Sequence, residues 1–315
     1  MLSRIAENLY WLARYIERTE NTARLVNVQA NLMLDLPQPY RFAWQSLVDI
    51  TGSQDEFQKR YERADALSVR RFLLTDRGYH SSVASSLFNA RENMRGSRDG
   101  LPKEAWEEFN EFYQQITKRL NSEPSGKDRY NLLNDVISGC QQFLGLLAGT
   151  MDRNEGYYFM RLGRNLERAD MTGRLIDVRS ANLLRKDEEL TPFDSIQWMS
   201  VLKSLSGYQS YRVHVKGPVV GREVLGFLIL NSEFPRAIFQ CLHTVGEAIG
   251  KLPGSKHTRT QLDIAIQILA DAPIRELAGE PTQLHAFVDD IEHAIGEVHR
   301  SIADTWFNVG TELPG

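Results

Sequence analysis

Two stretches of this chain are near copies of each other. "LARYIERTENTARLVNV" (residues 12–28) and "LGRNLERADMTGRLIDV" (residues 162–178) agree at eight of seventeen positions when the chain is shifted by 150 residues. The identities are Leu12/Leu162, Arg14/Arg164, Glu17/Glu167, Arg18/Arg168, Thr22/Thr172, Arg24/Arg174, Leu25/Leu175 and Val28/Val178. Most mismatches keep their character, as in Ile16/Leu166, Glu20/Asp170 and Ala23/Gly173. A weaker match continues at shifts of 154 and 155, where Trp44 meets Trp198, Gly52 meets Gly207, and Phe72-Leu73 meets Phe227-Leu228. A period this long points to a duplicated bundle and not to a short-repeat solenoid. We expect two homologous halves, 1–150 and 151–315, packed about a pseudo-two-fold axis as homodimers are.

The periodicity of apolar residues sets the class. Leu2, Ile5, Leu9, Leu12, Ile16 and Ala23 recur at helical spacing, and no proline occurs before Pro37. This predicts one long helix over 3–34, broken by Pro37 and Pro39. Leu284, Val288, Ile291, Ile295, Val298 and Ile302 repeat the pattern up to Trp306. Helix-like segments fall between them near 41–51, 64–75, 80–97, 103–121, 128–149, 155–185, 195–206, 222–250 and 257–272. Strand-like alternation is confined to Tyr211–Val215. The expectation is an all-α protein, a duplicated helical bundle.

Composition removes several functions. The chain has 315 residues, 37 basic against 41 acidic, and a net charge of −4. That balance gives no general attraction to nucleic acid or to an anionic membrane. Its two cysteines, Cys140 and Cys241, are far apart, so no disulfide framework is implied and a cytoplasmic, reducing compartment fits. The N-terminus reads as neither signal peptide nor membrane anchor. Phosphate-loop, dinucleotide, paired C-x-x-C and H-E-x-x-H motifs are missing, so no cofactor or metal is expected.

The chemistry concentrates in the repeated segment. At 100° per residue, Tyr10, Arg14, Glu17, Asn21 and Arg24 form one stripe, hemmed by apolar faces. Its copy is Met160, Arg164, Glu167, Met171 and Arg174. Arg18, Arg168, Glu20 and Asp170 lie close by, the two acids near the apolar face itself. Buried charge persists only when paired. One reading makes the stripes an interhelical ion-pair network that sets register between the halves. The other makes them the wall of a cleft, with arginine forks holding a phosphate or carboxylate and Glu17 and Glu167 positioning them or binding an amine. A glutamate acting as general base is a third reading, opposed by neighbouring arginines that would lower its pKa.

Other candidates are more isolated. Arg91, Arg95 and Arg98 share a face if one helix carries all three, with Glu92 among them, and could form a second anion-facing wall. In "SEFPRAIFQCLH" (232–243), Pro235 is expected to open a helix capped by Ser232, with Arg236 in the first turn. A cation there needs an anionic partner to offset the helix dipole. Cys241 and His243 would face different ways, and Asp289, His293 and Glu297 read as solvent-facing polar residues.

The stripes "LYWLARYIERTENTARL" and "YYFMRLGRNLERADMTGRLIDVR", together with "ARENMR" and "SEFPR", resemble the bacterial alpha-E family over essentially the whole chain. The resemblance marks Glu17-Arg18 and Glu167-Arg168, Arg91-Glu92-Asn93 with Arg95, and Phe234-Pro235-Arg236. Two positions depart from the family pattern: "GYHSS" (78–82) replaces an Asn-Pro-type turn, and Ala237 stands where serine is usual. The resemblance implies a circularly permuted ATP-grasp ligase as partner, with a transglutaminase-like protein as a further one, in a system that makes or modifies peptide or amide bonds. A peptide or small anionic substrate would then be held by Arg14, Glu17, Arg18, Glu20, Arg24, Arg91, Glu92, Arg95, Arg164, Glu167, Arg168, Asp170, Arg174 and Arg236.

Overall fold

The computed structural model describes every residue except 36, 38–42, 123, 185–192 and 309–315. Helix α1 runs over Ser3–Asp35, a stretch with neither glycine nor proline. Its end precedes Pro37, as the sequence predicts. Three short helices follow, α2 (Gln45–Ile50), α3 (Gln54–Gln58) and α4 (Ala66–Leu74). Then come α5 (Val83–Arg95), α6 (Lys103–Leu120) and α7 (Gly126–Thr150). A second run opens with α8 (Glu155–Leu183) and continues through α9 (Asp194–Ser204), α10 (Tyr208–His214) and α11 (Gly221–Leu230). It closes with α12 (Ile238–Ile249), α13 (Lys256–Ala270), α14 (Ile274–Leu277) and α15 (Pro281–Ile302), the last leading into a π-helical turn at Ala303–Phe307. Among the described residues there is no strand.

The two long central helices lie side by side and parallel. The Met1 ammonium meets Glu155 at one end, and Arg179 donates to Gln29 at 2.8 Å toward the other. α1 packs against α5 and α7, and α8 packs against α12 and α15. The expected apolar stripe of α1 is fully buried at Leu9, Leu12, Ile16 and Ala23, beside Leu162 and Leu166 of α8. Both helices therefore have neighbours all round, which is why their polar residues are buried too.

Gly163 lets the pair close. A Cβ there would stand 2.1 Å from the carbonyl oxygen of Tyr10 on α1. Glycine costs about 0.5–1 kcal/mol in a helix interior relative to alanine, and here the close approach of two backbones explains it.

Several sequence expectations change. The segment 222–250 is two helices, because Asn231 caps a turn that interrupts it, accepting from the backbone of Glu233 and Phe234. Tyr211–Val215 is helical in α10 up to His214, not a strand: Tyr211 is buried edge-on against Phe227 while Val213 is exposed. Five alternating residues are too few to separate the two periods. Arg98 lies in a separate 3-10 turn beyond α5, so it does not share a face with Arg91 and Arg95.

Gly163→Ala should lower stability by about 1–3 kcal/mol, the usual cost of forcing extra atoms into a packed core. Urea unfolding would read this, and the substitution of Gly145, whose Cβ would meet nothing, gives the contrast.

Candidate functional site

The polar face between α1 and α8 forms two interlocked clusters. Glu167 of α8 accepts from Arg14 Nε at 2.7 Å and from Arg18 Nε and Nη2 at 2.6 and 3.0 Å. Glu17 of α1 pairs in return with Arg164 Nε at 3.2 Å and Arg168 Nε at 3.0 Å. Each glutamate is thus held by the arginines of the other helix. The i,i+3 pairing of Arg14 with Glu17 allowed by the sequence is not made; Arg14 reaches across instead.

Glu17 has a third arginine. Arg236 comes from the turn before α12, joins Glu17 through Nη1, and donates through Nη2 to Glu20 at 2.9 Å. Its Nη1 also donates to Asn21 at 2.6 Å. The α12 helix starts at Ile238 with Ala237 as N-cap, so Arg236 is not in a first helical turn. The glutamates supply the anionic partners that its position was expected to need. Thr172 of α8 holds this turn by donating to the Arg236 carbonyl at 2.8 Å. Glu20 accepts further bonds from Arg24 and Gln141, at 2.7 and 3.1 Å.

Burial alone would raise the pKa of these carboxyls, but the guanidinium groups win. Arg168, Arg236 and Arg164 hold Glu17 far below the usual carboxylate range. Against the same burial penalty, Arg18 and Arg14 bring Glu167 down to about 2. Neither glutamate is poised to move a proton near neutral pH. The thiols are no nucleophiles either: burial pushes Cys241 up to about 12 and Cys140 well above its ordinary value.

Asp170 differs from Glu20, its counterpart in the repeat. It pairs with Arg174 at 3.1 Å and its side chain is 22% exposed, against 1% for Glu20. Beside it lies a cavity of about 240 Å³, whose wall includes Arg18, Thr22, Gly52, Glu56, His80, Ser81, Glu167, Asp170 and Arg174. Gly52 (φ +60°) lets the Arg174 guanidinium lie against the backbone, where a Cβ would stand 2.5 Å from Nη1. Ser81 accepts from Arg18 at 3.2 Å. Burial, and after it the charges of Asp170, Asp177 and Asp289, push Glu292 of α15 up to about 7 despite Arg174.

A roomier cavity, about 560 Å³, lies by Asn27, Trp44, Arg70 and Tyr130. It touches none of the interlocked pairs. Arg91, Glu92 and Arg95 also stand apart: Arg91 donates to Asn110 and faces Trp106 and Tyr113, while Arg95 pairs with Glu92. None of the three lines the cavity beside Asp170. Sequence reasoning passed over His80 and Ser81 as site residues, although the shift of 155 places them opposite Pro235 and Arg236. No group of three His, Cys, Asp or Glu among the described residues is placed to hold a metal ion, and no described helix is long and apolar enough to cross a membrane.

An all-helical protein whose two central helices exchange Glu-Arg pairs is what these observations define. The chain belongs to the Alpha-E family, described as a predicted alpha-helical domain with a conserved ER motif, whose model matches residues 1–307. No curated protein and no solved structure matches the chain.

Removing one partner of a buried pair strands the others, at about 3–5 kcal/mol. Glu17→Ala, which leaves three arginines without their carboxylate, should fall in this range by chemical denaturation, and more than Asp170→Ala at its part-exposed pair. Acid should act through the same groups. A carboxyl with a depressed native pKa contributes stability that is complete above its ordinary value and lost as pH falls through the native one. Stability should therefore drop from about pH 4.5 toward about 2, with Glu167→Gln flattening that slope. Glu292 has the opposite sign: its raised pKa costs stability as pH rises from 4.5 through about 7, and Glu292→Gln should remove that decline.

Proposed function

We propose that this chain is the substrate-binding partner of an ATP-grasp amide or peptide ligase, and that its substrate sits in the cavity between Arg18, Asp170 and Arg174. The observation that carries this reading is an open, charged cavity built directly on a buried ion-pair lattice. Such a lattice holds the wall rigid before any ligand arrives, and preorganisation of this kind favours binding. The anionic end of a peptide, a small carboxylate or an acyl phosphate would meet Arg174 and the exposed His80. Ionised glutamates and protonated thiols support binding over catalysis by this chain alone. The partner class, a circularly permuted ATP-grasp ligase with a transglutaminase-like protein beside it, comes from the family likeness. The reciprocal Glu17 and Glu167 pairs support a further element of the proposal, that residues 1–150 and 151–315 are duplicated halves about a pseudo-two-fold axis running along α1 and α8.

The test is mass spectrometry of the purified protein incubated with its ATP-grasp ligase, ATP and a metabolite extract. A product that requires this chain and is lost in folded Arg174→Ala and His80→Ala variants is expected. A product profile indifferent to the chain, or to both variants, would overturn the proposal and leave the ion pairs a structural role only.

A further inference from the structure

We infer that the cavity beside Asp170 is a guanidinium-binding site, so that the substrate carries an arginine-like cationic end. This rests on the reading of that cavity as the substrate site and adds the chemical class of what enters it.

The argument starts from what fills the corresponding place in the other half of the chain. Under the shifts of 150 and 155, Glu17, Glu20 and Arg24 correspond to Glu167, Asp170 and Arg174, and Arg236 corresponds to Ser81. The register is supported by local structure. Phe227 stacks on Phe234 at 4.8 Å, and Phe72, 155 residues earlier, stacks on Tyr79 at 4.0 Å. Ala237 is the N-cap of α12 and Ser82 the N-cap of α5. Arg168 approaches the Pro235 carbonyl, and Arg18 meets the same turn of the other copy one residue further on, at the Ser81 hydroxyl. Arg236 therefore marks where a guanidinium goes: bridging two carboxylates, one on each of two successive turns of a central helix.

In the second half the same two carboxylates are present and the arginine is not. Ser81 is too short to reach them, and the cavity lies where a guanidinium would be. Glu17 has three arginine partners, whereas Glu167 has two. A carboxylate offers about four acceptor sites, and Glu167 fills three. Asp170 is paired with Arg174 alone among the described residues.

The cluster that takes Arg236 and the cluster at the cavity each set three further arginines against two carboxylates. Around Arg236, the arginines 164, 168 and 24 meet two glutamates, and a further guanidinium is still accommodated. Around the cavity, Arg14, Arg18 and Arg174 meet Glu167 and Asp170, while Glu56 on its wall is paired with Lys59 and Arg60. A planar fork bridging two carboxylates is the geometry that guanidinium serves and ammonium does not. Free arginine, a decarboxylated alkyl guanidine or an arginyl peptide shares this chemistry. All three present the same guanidinium, and the open cavity, about 240 Å³, takes that group and its stem.

The test is isothermal titration of the full chain with agmatine, arginine, citrulline (the neutral isostere), an arginyl tripeptide and inorganic phosphate, in the native protein and in two variants. Asp170→Asn removes one carboxylate charge. Ser81→Arg supplies the missing guanidinium from the chain itself. The expected result is saturable binding of agmatine and arginine, none of citrulline, at least a tenfold loss in Asp170→Asn, and complete loss in Ser81→Arg with the circular dichroism and cooperative melt retained. Binding of the tripeptide without agmatine or arginine would overturn a site that recognises the guanidinium by itself. Phosphate binding without agmatine binding, abolished by Arg174→Ala, would overturn the guanidinium inference and leave the cavity as the substrate site. Agmatine binding unchanged by either variant would place the ligand elsewhere and overturn the inference. No binding of any probe, with the ligase reaction also indifferent to Arg174→Ala, would overturn both.

Discussion

Everything central to this protein depends on two glutamates that are not paired on their own helix. Glu17 and Glu167 reach across the α1–α8 contact, and each is neutralised by the arginines of its neighbour. Carboxylates this deep would be untenable alone, because desolvation would drive them to take up protons. Held by two or three guanidinium groups, they stay ionised and act as rigid cross-links. A buried pair of this kind contributes more to register than to net stability. The crossed pairs and the close approach of Gly163 to the Tyr10 carbonyl are both met in this register.

The rest of the architecture serves that contact. Glycine at 163 brings the backbones together so that the side chains can cross. The turn before α12 delivers Arg236, and Thr172 holds the turn. Outer helices α5, α7, α12 and α15 exclude water from the polar face. The two clusters then diverge, at Glu20 against Asp170, Asn21 against Met171 and Arg236 against Ser81. Where the cluster at Glu17 takes Arg236, the cluster at Glu167 has Ser81, and a charged cavity opens beside Asp170. The buried lattice thus runs into the wall of that cavity, and on the function proposed above one stripe serves both readings.

Much of this could be read before folding. The 3.6-residue period located the long helices, since a buried stripe on a helix longer than twenty residues has few alternatives. Short helices were harder: α3, α10 and α14 span five, seven and four residues, less than two turns, and carry too little periodicity to declare themselves. The stripe residues of 14–24 and 164–174 were found because they recur at a fixed shift, and they do come together. Arg91 and Arg95 stand out in the sequence through charge, helical spacing and the family likeness, and they bond to Asn110 and Glu92 away from the stripes. Ser81 carries no charge or motif to single it out, and only the fold brings it to the cavity wall.

By itself the sequence determined the class, the long helices and the need to compensate a dense stripe of charge, because these follow from local periodicity and from the cost of burying ions. Only the tertiary structure decided with whom each charge pairs. Arg14 and Glu17 are close enough along one helix to have satisfied each other, and nothing local forbids it. The parallel contact of α1 with α8 made the crossed pairs available to four arginines and two glutamates at once, and one turn carrying Arg236 gave Glu17 an arginine that Glu167 lacks.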